Sequence, residues 1–505
     1  MTIFHGAGTA KANLNELSSG NLLVGLARQS GTSLMSREGT FLGTHCYAID
    51  TFLVLQSVKK HLDNDFYFVG GYWKDLCSTT GANRSYPVIG RMDSLGNILA
   101  KQHYELNADD CSNMAGDLEV MNDGGVVAWG VRDYRFFALR VDAAGEPLWA
   151  RRFSRTAAFQ FVKELPGGDL LAGINMDTAG AVVARLDAAG NFLWCKSYIR
   201  QGMVHDCVIE SDDSFLITGY TDSLSSTNGL APRPPDFKPK LFMMRLNGSG
   251  DVSWCKGYDS TPNLWYSHSI SHIVQVQDGG YAILANLGDP TYDRWYRPFL
   301  MKTDQNGDTL WTRSVGTNGY HYETSSLLAS SDGGIIYSGR IWGELPEDQF
   351  NFAYLYKADA EGHLPCEELH YPVEVVDLFP TDSSFTLTSV DGAVARPAFI
   401  SDVTYPPITQ YNGCMTTTVP ETARTRRTRI YPNPTPGRFT VEFQDPLVKD
   451  SYYSVFDTMG KLLFQRAAAH GQKTEEVDLT GYSKGTYVIR FTDREGTCYE
   501  RVVVE

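Results

Sequence analysis

The chain has 505 residues and a formal net charge of −15, from 59 acidic and 44 basic residues. An acidic chain without a basic stripe is not expected to bind nucleic acid. No segment reaches the roughly 18 consecutive apolar residues that a transmembrane helix needs. Residues 1–13 have neither a basic start nor an apolar core, so no secretory signal peptide is predicted there.

The first predicted elements are tight hairpins, and they come from a pattern that recurs along most of the chain. An apolar residue is followed by Asp or Asn, by Gly three positions later and usually by Trp, most clearly at residues 186–194. The Asp or Asn side chain bonds to the backbone two residues on, and Gly adopts a positive φ without steric cost. Each copy therefore predicts a turn between two antiparallel strands. The glycines of the copies are Gly39, Gly96, Gly145, Gly190, Gly250, Gly307 and Gly362.

A second pattern falls between copies of the first and consists of a turn, an apolar run and a small residue. Clear examples begin with Asp-Gly-Gly at residues 123–125, 278–280 and 332–334. The two patterns together place four strands in each unit of 45 to 60 residues, which is typical of a β-propeller. The small residues that end the copies are Gly25, Gly70, Gly130, Gly173, Gly219, Ala285, Gly339 and Ser389.

The number of blades follows from how the repeats begin and end. Residues 2–6 look like an isolated fourth strand, and the last repeat, near 374–403, lacks one. If the N-terminal strand completes the last blade, the ring closes and two open edges are buried. We therefore predict an all-β fold in which residues 1–411 form an eight-bladed propeller. Seven blades are the alternative, if one copy of the pattern is not a blade.

Candidate ligand-binding residues lie in the insertions. In this arrangement both kinds of turn share one face, and the variable links lie on the opposite face, where binding residues concentrate. Exposed aromatic side chains there can stack on sugar rings or anchor a partner protein. The alternative is that long loops fold back and bury these side chains. The candidates are Trp73, Trp265, Trp295, Trp342, Tyr292 and Tyr296.

Other conspicuous residues favour structural roles. The repeat position of Trp149, Trp194, Trp254 and Trp311 predicts packing between blades. A metal site needs ligands that converge from several blades. We therefore expect His205, His268, His272 and His321 to be polar residues at the channel mouth, and we predict no metal or cofactor. A glycosidase would need two carboxylates at one cleft, and these cannot be picked out, so catalytic residues are unknown.

The nine cysteines contain no Cys-x-x-Cys pair, which disfavours a zinc ribbon or a thioredoxin-type site. Cys195 and Cys255 follow the repeat Trp, so we expect both to be buried and inert. Cys366 and Cys414 lie where the repeats run out, and they are the candidate disulfide.

The chain changes character after the repeats. Residues 412–429 are rich in Thr and Arg and poor in apolar residues, as expected of a linker. Residues 430–505 contain short alternating strands separated by Gly turns, which predicts a small immunoglobulin-like β-sandwich. Three motifs stand out in this module: Tyr431-Pro432-Asn433-Pro434 with Gly437, Lys484-Gly485-Thr486-Tyr487, and Arg501-Val502-Val503-Val504.

These three motifs resemble the type A C-terminal sorting domain of type IX secretion cargo in Bacteroidota. The resemblance implies that the outer-membrane secretion machinery binds the module and that a sortase-like protease removes it. The body would then be secreted or attached to the outer face of the outer membrane. Such cargo carries an N-terminal signal peptide, so we expect the natural chain to begin upstream of Met1.

The repeats also resemble known architectures. They are similar to propellers that accompany such sorting domains, and the hairpin looks like the Asp-box of sialidase-type propellers, where it is structural. The combined interpretation is a secreted, non-catalytic propeller that binds a surface glycan or a protein. The alternative is a carbohydrate-active hydrolase or lyase.

Overall fold

The computed structural model divides into two compact units, Met1–Gly413 and Cys414–Glu505. In the residues that it describes, all regular structure is β, and no helix is long and apolar enough to span a membrane. The described residues are 2–5, 11–27, 31–37, 40–48, 53–62, 64–76, 83–106, 113–132, 135–153, 157–176, 179–199, 202–221, 240–260, 270–289, 292–315, 320–343, 351–364, 368–369, 373–380, 382–384, 389–391, 394–397, 401–402, 410–412, 428–443, 452–457, 462–468, 471–493 and 496–505.

The first unit begins with the strands that build its blades. In chain order they are β1 (Thr2–His5), β2 (Lys11–Glu16), β3 (Leu22–Ala27), β4 (Gly31–Met35), β5 (Phe41–Ala48), β6 (Leu53–Leu62), β7 (Asp65–Leu76), β8 (Asn83–Met92), β9 (Ile98–Glu105), β10 (Asn113–Val120), β11 (Val126–Arg132), β12 (Arg135–Val141), β13 (Pro147–Phe153), β14 (Ala157–Glu164), β15 (Leu170–Met176), β16 (Gly180–Leu186), β17 (Phe192–Ile199), β18 (Met203–Ile209), β19 (Phe215–Tyr220), β20 (Leu241–Leu246), β21 (Val252–Ser260), β22 (His272–Gln275), β23 (Tyr281–Asp289), β24 (Tyr292–Thr303), β25 (Thr309–Val315), β26 (Tyr320–Ala329), β27 (Ile335–Gly343) and β28 (Asn351–Ala358).

Each blade takes four of these strands as an antiparallel meander. Blade 1 consists of β2–β5, and blades 2 to 6 follow in groups of four up to β25. Blade 7 combines β26, β27 and β28 with the N-terminal strand β1, which pairs with residues 352–355. Each innermost strand contacts the innermost strand of the next blade, and β26 contacts β2. The described strands therefore form a closed ring of seven blades.

The structure confirms the all-β propeller and its closure by the N-terminal strand, and it corrects the number of blades. The prediction of eight blades is wrong, and the alternative of seven is right. The weak copy at Ser36 is a real turn, in which Ser36 N–H donates to Thr40 O at 2.7 Å. The copy that fails is the one near 374–403, because its strands pair with other blades and not with one another.

That segment forms a belt, which we define as residues 368–412. Its strands are β29 (Glu368–Leu369), β30 (Val373–Asp377), β31 (Ser383–Ser384), β32 (Ser389–Asp391), β33 (Val394–Pro397), β34 (Ser401–Asp402) and β35 (Gln410–Asn412). Each adds a fifth, antiparallel strand to the outer edge of one blade. They reach blades 6, 5, 4, 3, 2, 1 and 7 in that order. The belt therefore runs once around the ring against the chain order and ends on β1, where Asn412 pairs with Thr2.

The hairpin turns have the predicted chemistry. Asp142 Oδ1 accepts the N–H groups of Ala144 at 2.9 Å and Glu146 at 2.8 Å. Gly145 adopts a φ of 87°, which favours glycine. The same pair of bonds forms in the turns at Asp93, Asn247, Asp304 and Asp359.

The repeat tryptophans pack between blades, as predicted. Each contacts the turn glycine of the next blade, and a Cβ on Gly250 would lie 2.9 Å from the Trp194 ring. Tyr198 Oη donates to the carbonyl of the same glycine at 2.6 Å. The equivalent contacts join Trp149 to Gly190, Trp254 to Gly307 and Trp311 to Gly362.

The second unit is a small β-sandwich with its own core, as predicted. Its strands are β36 (Thr428–Tyr431), β37 (Arg438–Phe443), β38 (Tyr452–Asp457), β39 (Leu462–Ala467), β40 (Thr474–Asp478), β41 (Gly485–Asp493) and β42 (Gly496–Val504). One sheet has the order β36-β37-β40, and the other has the order β39-β38-β41-β42. Val441 of the first sheet and Val455 and Ile489 of the second share one buried cluster.

Candidate functional site

The predicted ligand-binding aromatics lie mostly in strands. Trp265 lies outside the described residues. The prediction placed the others in loops, but Trp73 lies in β7, Tyr292, Trp295 and Tyr296 lie in β24, and Trp342 lies in β27. The reason is that some hairpins are longer than the sequence indicated, since β23 and β24 pair as far as Asp289 and Tyr292. Tyr296 is half-buried, with its ring centroid 5.7 Å from that of His321. The role of these six residues in ligand binding stays a prediction.

A row of charged side chains occupies the innermost strands of five successive blades. Two ion pairs and one contact between a His and a carboxylate join neighbouring blades within it: Lys59 Nζ to Asp117 Oδ2 at 3.9 Å, Lys163 Nζ to Glu119 Oε2 at 3.4 Å, and His272 Nδ1 to Asp206 Oδ2 at 3.8 Å. We call this row the charge ladder: Lys59 on β6, Asp117 and Glu119 on β10, Lys163 on β14, Asp206 on β18 and His272 on β22.

Bulges lie in four of the five strands that carry this ladder, β6, β10, β14 and β18, and also in β26. Five innermost strands carry a register shift at a similar level. A bulge sets an extra residue against the partner strand and re-aims the side chains that follow it. Asp117 and Asp206 each follow a bulge directly. Sequence patterns could not show this, because a bulge depends on the register of pairing. The extra residues are Gln56, Gly116, Gln160, His205 and Ser325.

The charges of the ladder stabilise one another. The negative charge of Glu119 raises the pKa of Lys163, against the effect of burial, and Asp206 adds to this increase. Burial acts to raise the pKa of Asp206, but the nearby His272, the charge of Lys163 and the N–H of Ile273 outweigh it, so that pKa is lowered. A general acid in glycoside cleavage needs a raised pKa. Asp206 is therefore unsuited to that role.

His205 is buried beside the ladder and is neutral. Its Nδ1 accepts the N–H of Ser271 at 3.1 Å and lies 3.1 Å from the hydroxyl of the same residue. Burial first, and then the nearby His272, lowers the pKa of His205 to about 3. Among the residues that the structure describes, no group of three His, Cys, Asp or Glu side chains could hold a metal ion. His268 lies outside those residues.

Amide side chains at the inner strands tie successive blades together. Asn15 Nδ2 donates to Val58 O at 3.1 Å, and Lys60 N–H donates to Asn15 Oδ1 at 2.8 Å. Asn175 makes the same two kinds of bond to Val204, at 2.9 and 2.8 Å. The sequence analysis missed these residues, since a lone Asn within an apolar strand was the only signal for them.

Asn433 of the sorting motif forms hydrogen bonds with the C-terminal strand of the second unit. Asn433 Nδ2 donates to Arg501 O at 2.8 Å, and Val503 N–H donates to Asn433 Oδ1 at 2.9 Å. We call Asn433, together with Thr435, the C-terminal clamp. The peptide bonds before Pro432 and Pro434 are both cis. The structure thus brings the first and last motifs of the module together.

The remaining motif residues shape turns and strand ends. Gly437 has a φ of 117°, and a Cβ there would lie 2.9 Å from the backbone of Thr480. Gly485 begins β41 and pairs with Val504. Tyr487 is buried, and its hydroxyl donates to the carbonyl of Ser483.

The candidate disulfide cannot be placed, because Cys366 and Cys414 lie outside the described residues. Cys195 and Cys255 are buried and free, as predicted. Burial raises the pKa of each thiol to about 12.

Comparison with solved structures finds distant likenesses. A protein of unknown function from Bacteroides caccae is 14% identical over 58% of this chain and 93% of that chain, with a TM-score of 0.36. A streptogramin B lyase is 11% identical over 70% and 97%, with a TM-score of 0.42. Regucalcin from Agrobacterium tumefaciens, a calcium-binding protein, is 11% identical over 70% and 92%, with a TM-score of 0.32. These values carry no argument about function.

The family comparison concerns the second unit. No curated protein matches the chain. Residues 429–505 match the family model of the secretion system C-terminal sorting domain. The match covers the sandwich and all three motifs that carried the resemblance in the sequence. Residues 429–505 are therefore a type IX secretion C-terminal sorting domain, and the chain that carries them is a secreted or cell-surface protein.

Proposed function

We propose that the protein is exported by the type IX machinery and that its propeller binds a carbohydrate or protein ligand outside the cell. The sorting domain carries the export half of this proposal. The binding half rests on the unequal faces of the ring.

The two faces of the propeller differ in how much the lengths of their connections vary. On the hairpin face, every turn within a blade has five residues except the two-residue turn between β6 and β7. On the opposite face, which we call the link face, connections range from two residues (290–291) to twenty (221–240). A rigid scaffold that varies on one face is the usual arrangement of a binding protein. The ligand site is therefore assigned to the link face.

The export half is tested with the full chain, expressed behind a signal peptide in a host that has type IX secretion. The intact protein should reach the surface or the medium, and a variant without residues 429–505 should stay in the periplasm. Mass spectrometry should find the C-terminus of the exported protein between Cys414 and Ile430, because the segment predicted to be a linker is where proteolytic cleavage is expected. Equal export of both forms would overturn this half. An exported protein that still ends at Glu505 would overturn the removal step.

The binding half is tested with the exported protein on glycan and surface-protein arrays. Replacing residues 222–239 with a short Gly-Ser segment should weaken any binding found for the wild type. Leu193→Ser is the matched control, since Leu193 is 55% exposed beside a turn of the hairpin face. Binding that survives the loop replacement and is lost in the control would move the site to the hairpin face. No binding to either array would overturn the binding half.

A further inference from the structure

Two segments of the sorting domain, far apart in sequence, form one continuous edge. Beyond the two bonds of Asn433, Thr435 N–H donates to Val503 O at 2.8 Å, and Glu505 N–H donates to Thr435 O at 2.9 Å. Thr435 also forms a parallel bridge with Val504. Residues 433–435 therefore act as a short added strand that covers the last residues of β42.

The buried residues of β42 and the exposed Asn433 of the clamp contact opposite sides of the C-terminal strand. Val502 and Val504 are buried in the core and pair with Tyr487 and Gly485 of β41. The inner side of the C-terminus is thus already fixed. Asn433, by contrast, is exposed and bonds only to the outer side of the strand. Its effect is to hold residues 501–505 extended beside the motif residues.

Two exposed side chains close to this edge suit protein recognition. Tyr431 is 47% exposed, and Arg501 is exposed on the strand that the clamp holds. Tyr and Arg are among the residues that contribute most at protein interfaces. Tyr431 ends β36, which contacts β42, so folding brings these two ends of the domain sequence close to each other. A partner with an apolar cleft and a carboxylate would be complementary to both.

We propose that residues 431–435 and 501–505 form one composite recognition surface. A protein component of the secretion machinery binds it through Tyr431 and Arg501, and Asn433 is the positioning residue. The inference rests on the proposed export function. It adds that the signal is a folded surface and not a linear C-terminal peptide.

The test uses the full chain behind a signal peptide in a type IX host. Tyr431→Ser and Arg501→Ala together should reduce the exported fraction about tenfold or more, as expected for hot-spot residues. Arg438→Ala and Gln465→Ala are matched controls, because both side chains are exposed elsewhere on the same domain. Both controls should be exported like the wild type. Normal export of the double variant would overturn the composite surface, whereas retention of the wild type would overturn the export function itself.

Asn433→Ala tests the positioning role separately. Loss of its two bonds should speed amide hydrogen exchange at Val503 and Glu505 about fivefold, since a hydrogen bond contributes about 1 kcal/mol. Export should fall, while the thermal midpoint of the domain should fall by no more than the few degrees that about 1 kcal/mol implies, so that the domain stays folded. Faster exchange with normal export would remove Asn433 from the mechanism. If the thermal midpoint falls so far that the domain is unfolded under the export conditions, the loss of export would show a merely structural role for Asn433.

Discussion

The blades and the belt use β-strands in two different ways. Within a blade, strands that are neighbours in sequence pair across short turns, as β15 and β16 do from Leu170 to Met176. The belt strands pair only with distant partners. β30 pairs with the outer edge of β21, and β35 pairs with β1, at the other end of the propeller sequence. The two regions contain the same secondary structure but differ in what their pairing demands of the sequence.

The difference shows that pairing between neighbouring strands leaves a repeated pattern in the sequence, whereas pairing with a distant strand does not. A local hairpin needs turn residues at fixed positions, so every blade carries Asp, Asn or Gly in its turns. A belt strand needs only a free edge and a few residues in extended conformation, so it leaves almost no pattern. The belt covers outer edges that would otherwise be open to other chains. It contributes closure around the ring, while the blades contribute the core.

Removing the belt should have the largest effect on stability. A chain ending at Leu364 keeps four strands in every blade but leaves seven outer edges open. Each lost cross-strand pair costs about 0.2–1 kcal/mol, so we expect a loss of several kcal/mol and association through the exposed edges. Calorimetry and light scattering measure the two effects. A chain ending at Gly413 keeps the belt and is the control. Equal midpoints for the two truncations would show that the belt does not stabilise the ring.

A disulfide between Cys366 and Cys414 should close the belt in the exported protein. Cys366 precedes β29 on blade 6, and Cys414 follows β35 on blade 7, so the ends of the belt reach neighbouring blades. Oxidising compartments permit such bonds, and one typically contributes about 2–4 kcal/mol. Non-reducing peptide mapping should find the cross-link, and Cys366→Ala should lower the thermal midpoint. Free alkylation of both thiols in the exported protein would rule the bond out.

Gly250→Ala should disrupt one joint between blades. Gly250 has a φ of 77°, and a Cβ there would lie 2.9 Å from both the Trp194 ring and the Tyr198 hydroxyl. Left-handed strain and the displaced ring should cost about 1–3 kcal/mol in urea unfolding. Gly167→Ala is the control, because a Cβ there meets nothing within 4 Å. If the two variants unfold alike, the joint is looser than the contacts indicate.

The smallest expected effect on stability is the pH dependence that comes from the buried His205. An unfolded His takes up a proton below about pH 6.5, whereas burial lowers the native pKa to about 3. Between these values the unfolded chain holds more protons, so stability should fall as pH is lowered, by up to about 1.4 kcal/mol per pH unit. Urea unfolding measured between pH 7.5 and 4.5 should show that the free energy of unfolding depends less steeply on pH in His205→Gln than in the wild type. The exposed His363→Gln is the control, and an unchanged slope in His205→Gln would contradict the buried neutral state.

The sequence alone determined the elements that depend on local chemistry. The Asp-x-x-Gly turns, the packing of Trp149, Trp194, Trp254 and Trp311, the N-terminal closing strand and the sorting motifs were all predictable. Each of them places a required residue type at a fixed spacing, or follows from the way the repeats begin and end. A turn needs its glycine wherever the rest of the chain lies.

Tertiary structure alone decided where extended segments find their partners. Val373–Asp377 is rich in Val like a blade strand, yet it pairs with the outer edge of blade 5. The period of two that marks a strand says nothing about which edge it joins. The bulges that aim Asp117 and Asp206, and the bonds from Asn433 to Arg501 and Val503, likewise depend on register between distant strands. Seven blades instead of eight is one consequence, and the charge ladder, which no sequence pattern indicated, is another.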